Sequence, residues 1–445
     1  MRRQTGMLLA SSIVSLLASL AVAKVVSYSF GLDAYADVAL YAVSVQFGVL
    51  VFSGGVPTAL ITQASPSLTV ALGPDDDLRG SRLHVDAWRA AARRLTLAAC
   101  LVVMLAAVAV AGSGEWRLAG VPTLLIGFGV VAGTVGGYAA AELNLYQLTR
   151  DLAVMTAAAA VSGALAQLAV LWIWQLPGLL WSLAANAAVT LIVTVALTHR
   201  AVPRMSRRGE RPGHPDRTRH LLRTGLPFSA ANLYSTGVQY LLPLVVLAVL
   251  GRQSLGLYRS VTTITVIYMS VMLSTFAATY LPALSRADDG VVSEVVARQS
   301  KVVFALSTPV ILVLFAVAPF VLRLLYAKEF EVAAPLLRWQ LLGDLIRLSA
   351  WLLGYVVLAK RGGRLYTLTE AVGGSALLVG TYLGVRLHGL DGAGIGFLAA
   401  YVVYFVTVLL ASRRALPGQR WVNPWMAGML VVAVLLGVIR GLATV

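Results

Sequence analysis

Apolar stretches about as long as a bilayer-spanning helix, roughly 20 residues, recur along the chain and are separated by short polar or basic breaks. They lie at 7–29, 37–62, 95–112, 119–141, 153–175 and 178–198, and again at 226–250, 256–283, 302–326, 336–359, 366–387 and 391–412. A thirteenth run, 425–441, follows Trp421 and Trp425 and reads either as a span or as an interfacial anchor. The pattern predicts an all-α integral membrane protein. Arg2 and Arg3, an apolar stretch and then Ala21-Val22-Ala23 mimic a signal peptide. The stretch continues past Lys24 to Phe30 and is therefore read as a first transmembrane helix.

Composition sharpens this reading. Of 445 residues, 59% are hydrophobic and 12% charged, about half the charge of a soluble domain. Mean hydropathy is +0.82. A soluble enzyme, a secreted disulfide scaffold and a disordered chain are excluded. The single cysteine, Cys100, lies in an apolar run and forms no internal disulfide. The net charge of +16 would suggest nucleic acid in a soluble protein. Here the basic residues collect in alternate loops, at Arg79–Arg94, Arg200–Arg223, Arg286–Lys301, Lys360–Arg364 and Arg413–Arg420. That is the cytoplasmic bias of a multi-pass protein in the inner (plasma) membrane with its N-terminus inside, so no nucleic-acid partner is needed. The basic loops also suit anionic lipid headgroups. Both long loops, 63–94 and 199–225, fall on the cytoplasmic side, and the outer connections are short. Without an outer domain to hold catalytic groups, transport is favoured over glycan synthesis.

The loop 199–225 divides the chain into an N-terminal lobe, 1–221, a C-terminal lobe, 222–415, and an extra segment, 416–445. Arg150 and Arg364, Leu176-Pro177-Gly178 and Leu390-Asp391-Gly392, and His199-Arg200 and Arg413-Arg414 are all separated by the same interval of 214. Phe30-Gly31 and Leu250-Gly251 follow at 220. Six spans per lobe make parallel repeats and permit rocking between two access states.

Several turns carry a family likeness. Phe30-Gly31-Leu32-Asp33-Ala34-Tyr35 and Leu250-Gly251-Arg252-Gln253-Ser254-Leu255-Gly256-Leu257-Tyr258 resemble paired signatures of the oligosaccharide and polysaccharide flippases. Gly54-Gly55-Val56-Pro57-Thr58-Ala59-Leu60, Tyr280-Leu281-Pro282-Ala283-Leu284-Ser285 and Gly392-Ala393-Gly394-Ile395-Gly396 are similar to further elements of that family. Ala36 departs from the glycine usual there. The family's superfamily also holds multidrug extrusion (MATE) proteins and lipid II flippases. The resemblance implies a MATE-like fold of two six-helix lobes. It also implies transport of a polyprenyl-pyrophosphate-linked glycan from the inner to the outer leaflet, with a glycan polymerase or glycosyltransferases as further partners. The alternatives are an ion-coupled drug or metabolite exporter and a lipid II flippase. No nucleotide, dinucleotide or metal motif occurs, and no cofactor is expected.

Ionisable residues within spans are functional candidates by default. Lys24 and Arg259 are read as cavity cations for the pyrophosphate, or else as headgroup contacts. Asp344 and Arg347 share a helix face three residues apart. They form either an intrahelical ion pair or a site where a proton or ion competes with that pair, with Arg347 open to substrate. Glu370 stands alone in its span, as a coupling carboxylate or an interface residue. Asn232, Ser235 and Gln239 line one face of span seven, for sugar hydroxyls or for helix–helix bonding. Gly54, Gly55 and Pro57 give span two a flexible point. Glu142 and Asp151 flank a short loop and are expected to be solvated. Residues 214–224 read as a basic amphipathic surface helix.

Overall fold

The computed structural model describes residues 2–53, 55–57, 59–61, 78–113, 121–146, 148–202, 219, 234, 237–275, 280–288, 290–413 and 422–442. These residues are overwhelmingly helical, and no strand occurs among them. In chain order the helices are α1 (Arg2–Phe52), α2 (Leu78–Ser113), α3 (Val121–Leu145), α4 (Thr149–Trp174), α5 (Leu179–Ala201) and α6 (Gly237–Leu250). Then follow α7 (Arg252–Thr275), α8 (Leu281–Arg286), α9 (Val292–Ala316), α10 (Ala318–Leu325), α11 (Ala334–Arg361), α12 (Gly363–Ser412) and α13 (Pro424–Leu442). Among the described residues, 8 helices are long and apolar enough to cross a membrane.

Two of those eight each join two of the apolar runs, α12 containing both of its runs and α1 the first run with the first part of the second. α1 turns at Gly31 (φ 77, ψ −168), and α12 turns at His388 and Gly389 (φ 60, ψ −140). The run 302–326 is broken at Val317, where Pro319 opens α10; proline suits a first helical turn because it lacks an N–H. α2 starts at Leu78, inside the stretch expected to be loop, so the basic residues from Arg79 to Arg94 are helical. The flexible point of span two is a break: α1 ends at Phe52, and Gly55 takes φ 66 before a short turn resumes at Val56.

The backbone repeats at the interval read from the sequence. Gln175 (φ 53, ψ −145) closes α4, and Gly389, 214 residues later, has nearly the same angles. Gly31 and Gly251 both take positive φ, 77 and 85. Each pair marks the same kind of sharp helical turn in the two halves of the chain.

The chain forms two compact units, residues 1–26 with 40–233, and residues 27–39 with 234–445. In the first, Val56, Ala59 and Leu60 pack with Ala91, Ala92, Ala141 and Leu145. Against this cluster Arg89 of α2 pairs with Glu142 of α3, Nε to Oε1 at 2.7 Å. The Glu142 side chain is only 9% exposed, and the Tyr138 hydroxyl donates to it at 3.3 Å. The expectation of a solvated Glu142 is therefore corrected. Because α2 begins early, it brings a cation to the end of α3.

The second unit is built on α11, whose apolar residues are buried nearly all round. The two arms of α12 meet through glycines: a Cβ on Gly380 would come 2.7 Å from the Gly396 carbonyl oxygen, and one on Gly384 would overlap the Gly392 carbonyl. Close approach through small residues is how helices associate where lipid removes the hydrophobic drive. The turn 27–39 seats Tyr35 against Tyr326 and Phe330, with ring centroids 5.3 Å away in both cases, and Asp37 pairs with Arg252. α13 is fastened at both ends. Asn423 accepts the N–H groups of Trp425 and Met426 at 3.1 Å and donates to Ser300 at 2.9 Å. Arg440 reaches Asp391 at 3.5 Å and lies over the Trp339 ring.

Candidate functional site

The second unit contains a polar cavity of about 540 Å³ counting its open mouth. Its walls come from α6 (Val238, Gln239), α11 (Arg347, Trp351) and both arms of α12 (Glu370, Gly373, Gly374, Leu377, Ala400, Tyr401, Tyr404). The three predicted residues Gln239, Arg347 and Glu370 thus meet at one place, although they come from separate spans.

Arg347 is the centre of this site. Its Nη1 stands 3.5 Å from Oδ1 of Asp344, one helical turn earlier. Its guanidinium lies over the Trp351 ring at 4.3 Å and faces the Tyr401 ring at 5.4 Å. The Nε is buried and has no hydrogen-bond partner. Asp344 is fully buried and accepts the Tyr268 hydroxyl from α7. The intrahelical pair expected from the sequence is present, and the tyrosine completes it.

Glu370 accepts hydrogen bonds from Tyr404 and Tyr366. It is therefore a carboxylate held between two hydroxyl donors rather than a solitary one. Gln239 is exposed at the cavity wall and hydrogen-bonds Tyr401. Beside the cavity, the Tyr234 hydroxyl meets the Ala371 carbonyl at 2.5 Å and Ser375 Oγ at 2.7 Å. A shallow apolar groove of Ala371, Val372, Ser375, Ala376 and Val379 runs along the same arm of α12.

Arg259 is half-buried on α7. Tyr35, Tyr240, Tyr258 and Tyr326 lie within its electrostatic reach, and among the described residues no carboxylate pairs with it. Tyr258 lies within reach of Arg347 as well, so the two cations share a neighbour. Lys24 is half-buried in the first unit. Arg338 points away from the cavity, donating Nε to the Phe315 carbonyl at 3.2 Å. Asn232 and Ser235 lie outside the described residues, as does nearly all of 214–224. Among the described residues, no cluster of His, Cys, Asp and Glu could hold a metal ion.

The aromatic and hydroxyl partners were missed in the sequence, although spacing carried part of the signal. Trp351 follows Arg347 by four, Glu370 follows Tyr366 by four, and Tyr404 follows Tyr401 by three. Such intervals place side chains on one helix face. Nothing in the sequence brings Tyr268 to Asp344 or Tyr404 to Glu370, because those bonds join different spans.

Residues 29–335 match the family described as Polysaccharide biosynthesis protein. The chain belongs to that family. The lipid III flippases of Escherichia coli (strain K12) and Shigella flexneri are each 31% identical to it over 166 residues, covering 36% of this chain. That alignment spans 40% of the length of those relatives. The fold is shared with solved transporters. An inward-facing multidrug resistance MATE family transporter of the MOP superfamily superimposes with a TM-score of 0.70 at 16% identity, covering 90% of this chain and 94% of that one. The lipid II flippase MurJ in an inward closed conformation superimposes with a TM-score of 0.65 at 11% identity, covering 97% and 96%. The family match ends before Arg347 and Glu370, so the cavity's chemistry rests on its own geometry.

Proposed function

We propose that this chain is a flippase. In this reading it moves a polyprenyl-pyrophosphate-linked oligosaccharide from the cytoplasmic to the outer leaflet of the inner membrane, for cell-surface polysaccharide biosynthesis, by alternating access of its two units. One observation carries the reading: in a chain of this family, a guanidinium with unused donors opens on a polar cavity among membrane-spanning helices. A charged group in that setting is costly and is kept for an ion or substrate path. Arg347, Gln239, Arg259 and Lys24 are the proposed headgroup contacts, with Asn232 and Ser235 on the same span as Gln239. Asp344 and Glu370 are the proposed coupling groups, because either can hold a proton or a cation inside the bundle. The lipid tail stays in the bilayer while the headgroup crosses.

The test is depletion of the protein, followed by analysis of lipid-linked glycans and of the leaflet that holds them. Accumulation of a polyprenyl-linked oligosaccharide on the cytoplasmic side is the expected result. A second reading, an ion-coupled exporter, draws on Glu370 at the cavity, on Asp344 buried beside Arg347, and on the MATE-like fold. An unchanged lipid pool together with raised sensitivity to cationic drugs would decide for it.

A further inference from the structure

The cavity of the second unit and the cation on α7 differ in charge, and the difference assigns them different parts of one headgroup. This inference rests on the flippase reading above. A pyrophosphate is a polyanion and needs surplus positive charge. At the cavity, Arg347 stands against Asp344 at 3.5 Å and shares the wall with Glu370. One cation against two carboxyl groups leaves no surplus, even with Glu370 protonated, because Asp344 alone balances Arg347. Arg259 differs: it has tyrosines around it and no carboxylate partner among the described residues.

The cavity does have directional donors and ring faces. Asp344 engages Arg347 only at Nη1, and Nε is buried without an acceptor. The guanidinium carbon lies over the Trp351 and Tyr401 rings, so apolar ring surface adjoins its remaining donors. A guanidinium edge matches a planar sp² oxygen group better than a hydroxyl. Gln239 adds an amide at the wall, and the rings of Trp351 and Tyr401 offer apolar surface.

We propose that this cavity takes one sugar ring of the glycan, held through a carboxylate or acetamido carbonyl on the guanidinium donors of Arg347 that Asp344 leaves free, while the pyrophosphate lies at Arg259. Tyr258 lies within electrostatic reach of both arginines. Arg347 and Gln239 are then specificity residues for the glycan rather than anchors for its phosphate.

The test uses the full chain in lipid nanodiscs and saturation-transfer NMR. The probes are N-acetylglucosamine, glucuronic acid and glucose, with inorganic pyrophosphate as competitor. Saturation is expected to reach N-acetylglucosamine or glucuronic acid but not glucose, which lacks such an oxygen, and the responding sugar identifies the group. Arg347→Met should weaken that binding about tenfold or more, the worth of a charge-assisted hydrogen bond. Gln239→Ala, at an exposed side chain, should also weaken it and shows that the loss is not a folding defect. Saturation of no sugar, or displacement of the sugar by pyrophosphate with Arg347-dependent affinity, overturns the assignment. Flipping of lipid-linked glycan is measured on the same protein in vesicles. Native flipping without sugar binding refutes the subsite alone, whereas absence of native flipping refutes the function itself.

Discussion

Gln175 is the only non-glycine residue with positive φ among the described residues, and its repeat partner 214 positions later is a glycine. At φ 53 and ψ −145, a side chain crowds its own backbone. Residues held in such sparsely populated regions cost about 1–3 kcal/mol. Gln175→Gly removes that strain but adds roughly 0.5–1 kcal/mol of chain entropy in the unfolded state. It also removes a weak exposed bond from Gln175 Nε2 to the Trp172 carbonyl at 3.3 Å. The net expectation is stabilisation by about 1 kcal/mol, a factor of about five in the folded-to-unfolded ratio. The reverse change, Gly389→Ala, isolates the backbone cost, since a Cβ at Gly389 meets nothing within 4 Å. It should destabilise by about 1–2 kcal/mol. Both variants are compared with the native chain by thermal unfolding in one detergent, followed by circular dichroism. A less stable Gln175→Gly, or a neutral Gly389→Ala, would refute the claim that the two turns share one strained geometry.

Three other substitutions probe the interior. Glu142→Ala strands a largely buried Arg89 and should cost about 2–3 kcal/mol, less than the figure for a fully buried pair because the Arg89 side chain is 22% exposed. The double change Arg89→Met with Glu142→Met should recover most of that loss, and a double mutant as unstable as the single one would show that the pair is not coupled. Gly384→Val forces apart the two arms of α12, where a Cβ already overlaps the Gly392 carbonyl; a cost of about 1–3 kcal/mol or more is expected and is read as lost folded yield. Glu370→Gln keeps an acceptor for Tyr404 and Tyr366 but removes the titratable group, so transport in vesicles should lose its dependence on pH or sodium while the protein stays folded. Unaltered dependence would remove Glu370 from coupling.

Much of the fold was legible because its determinants are local. The apolar runs set the spans, and glycine or proline set their ends, as at Gly31, Pro319 and Gly362. The repeat was visible in turn residues alone, since the same chain reversal needs the same backbone freedom. The site was legible only in part. Asp344 and Arg347 pair within one helix turn, so their spacing determines the contact. Glu370 read as solitary because its partner Tyr404 comes from the other arm of α12, 34 residues away. Glu142 read as solvated for a similar reason. Its cation, Arg89, belongs to a helix whose start the hydropathy pattern placed too late, because the first turns of α2 are basic rather than apolar.

The distribution of charge then distinguishes the two units. In the first, residues 152–198 contain no ionisable side chain at all, and the described ion pair sits where α3 ends, packed on an apolar cluster. In the second, a carboxylate, a guanidinium and a second carboxylate stand within α11 and α12, each with a tyrosine bonded to it or facing it. Buried charges need partners, and tyrosine supplies them without adding charge. A cavity built this way can exchange one partner for a ligand oxygen without leaving a bare ion behind. Its hydroxyl donors remain in place while Arg347 trades part of its edge. In the proposed reading the repeat supplies two similar scaffolds, and the second carries the cavity around Arg347. On this argument, altered glycan preference should arise from changes around Arg347, Trp351 and Tyr401. Changes on α4 and α5 should alter stability and leave preference untouched.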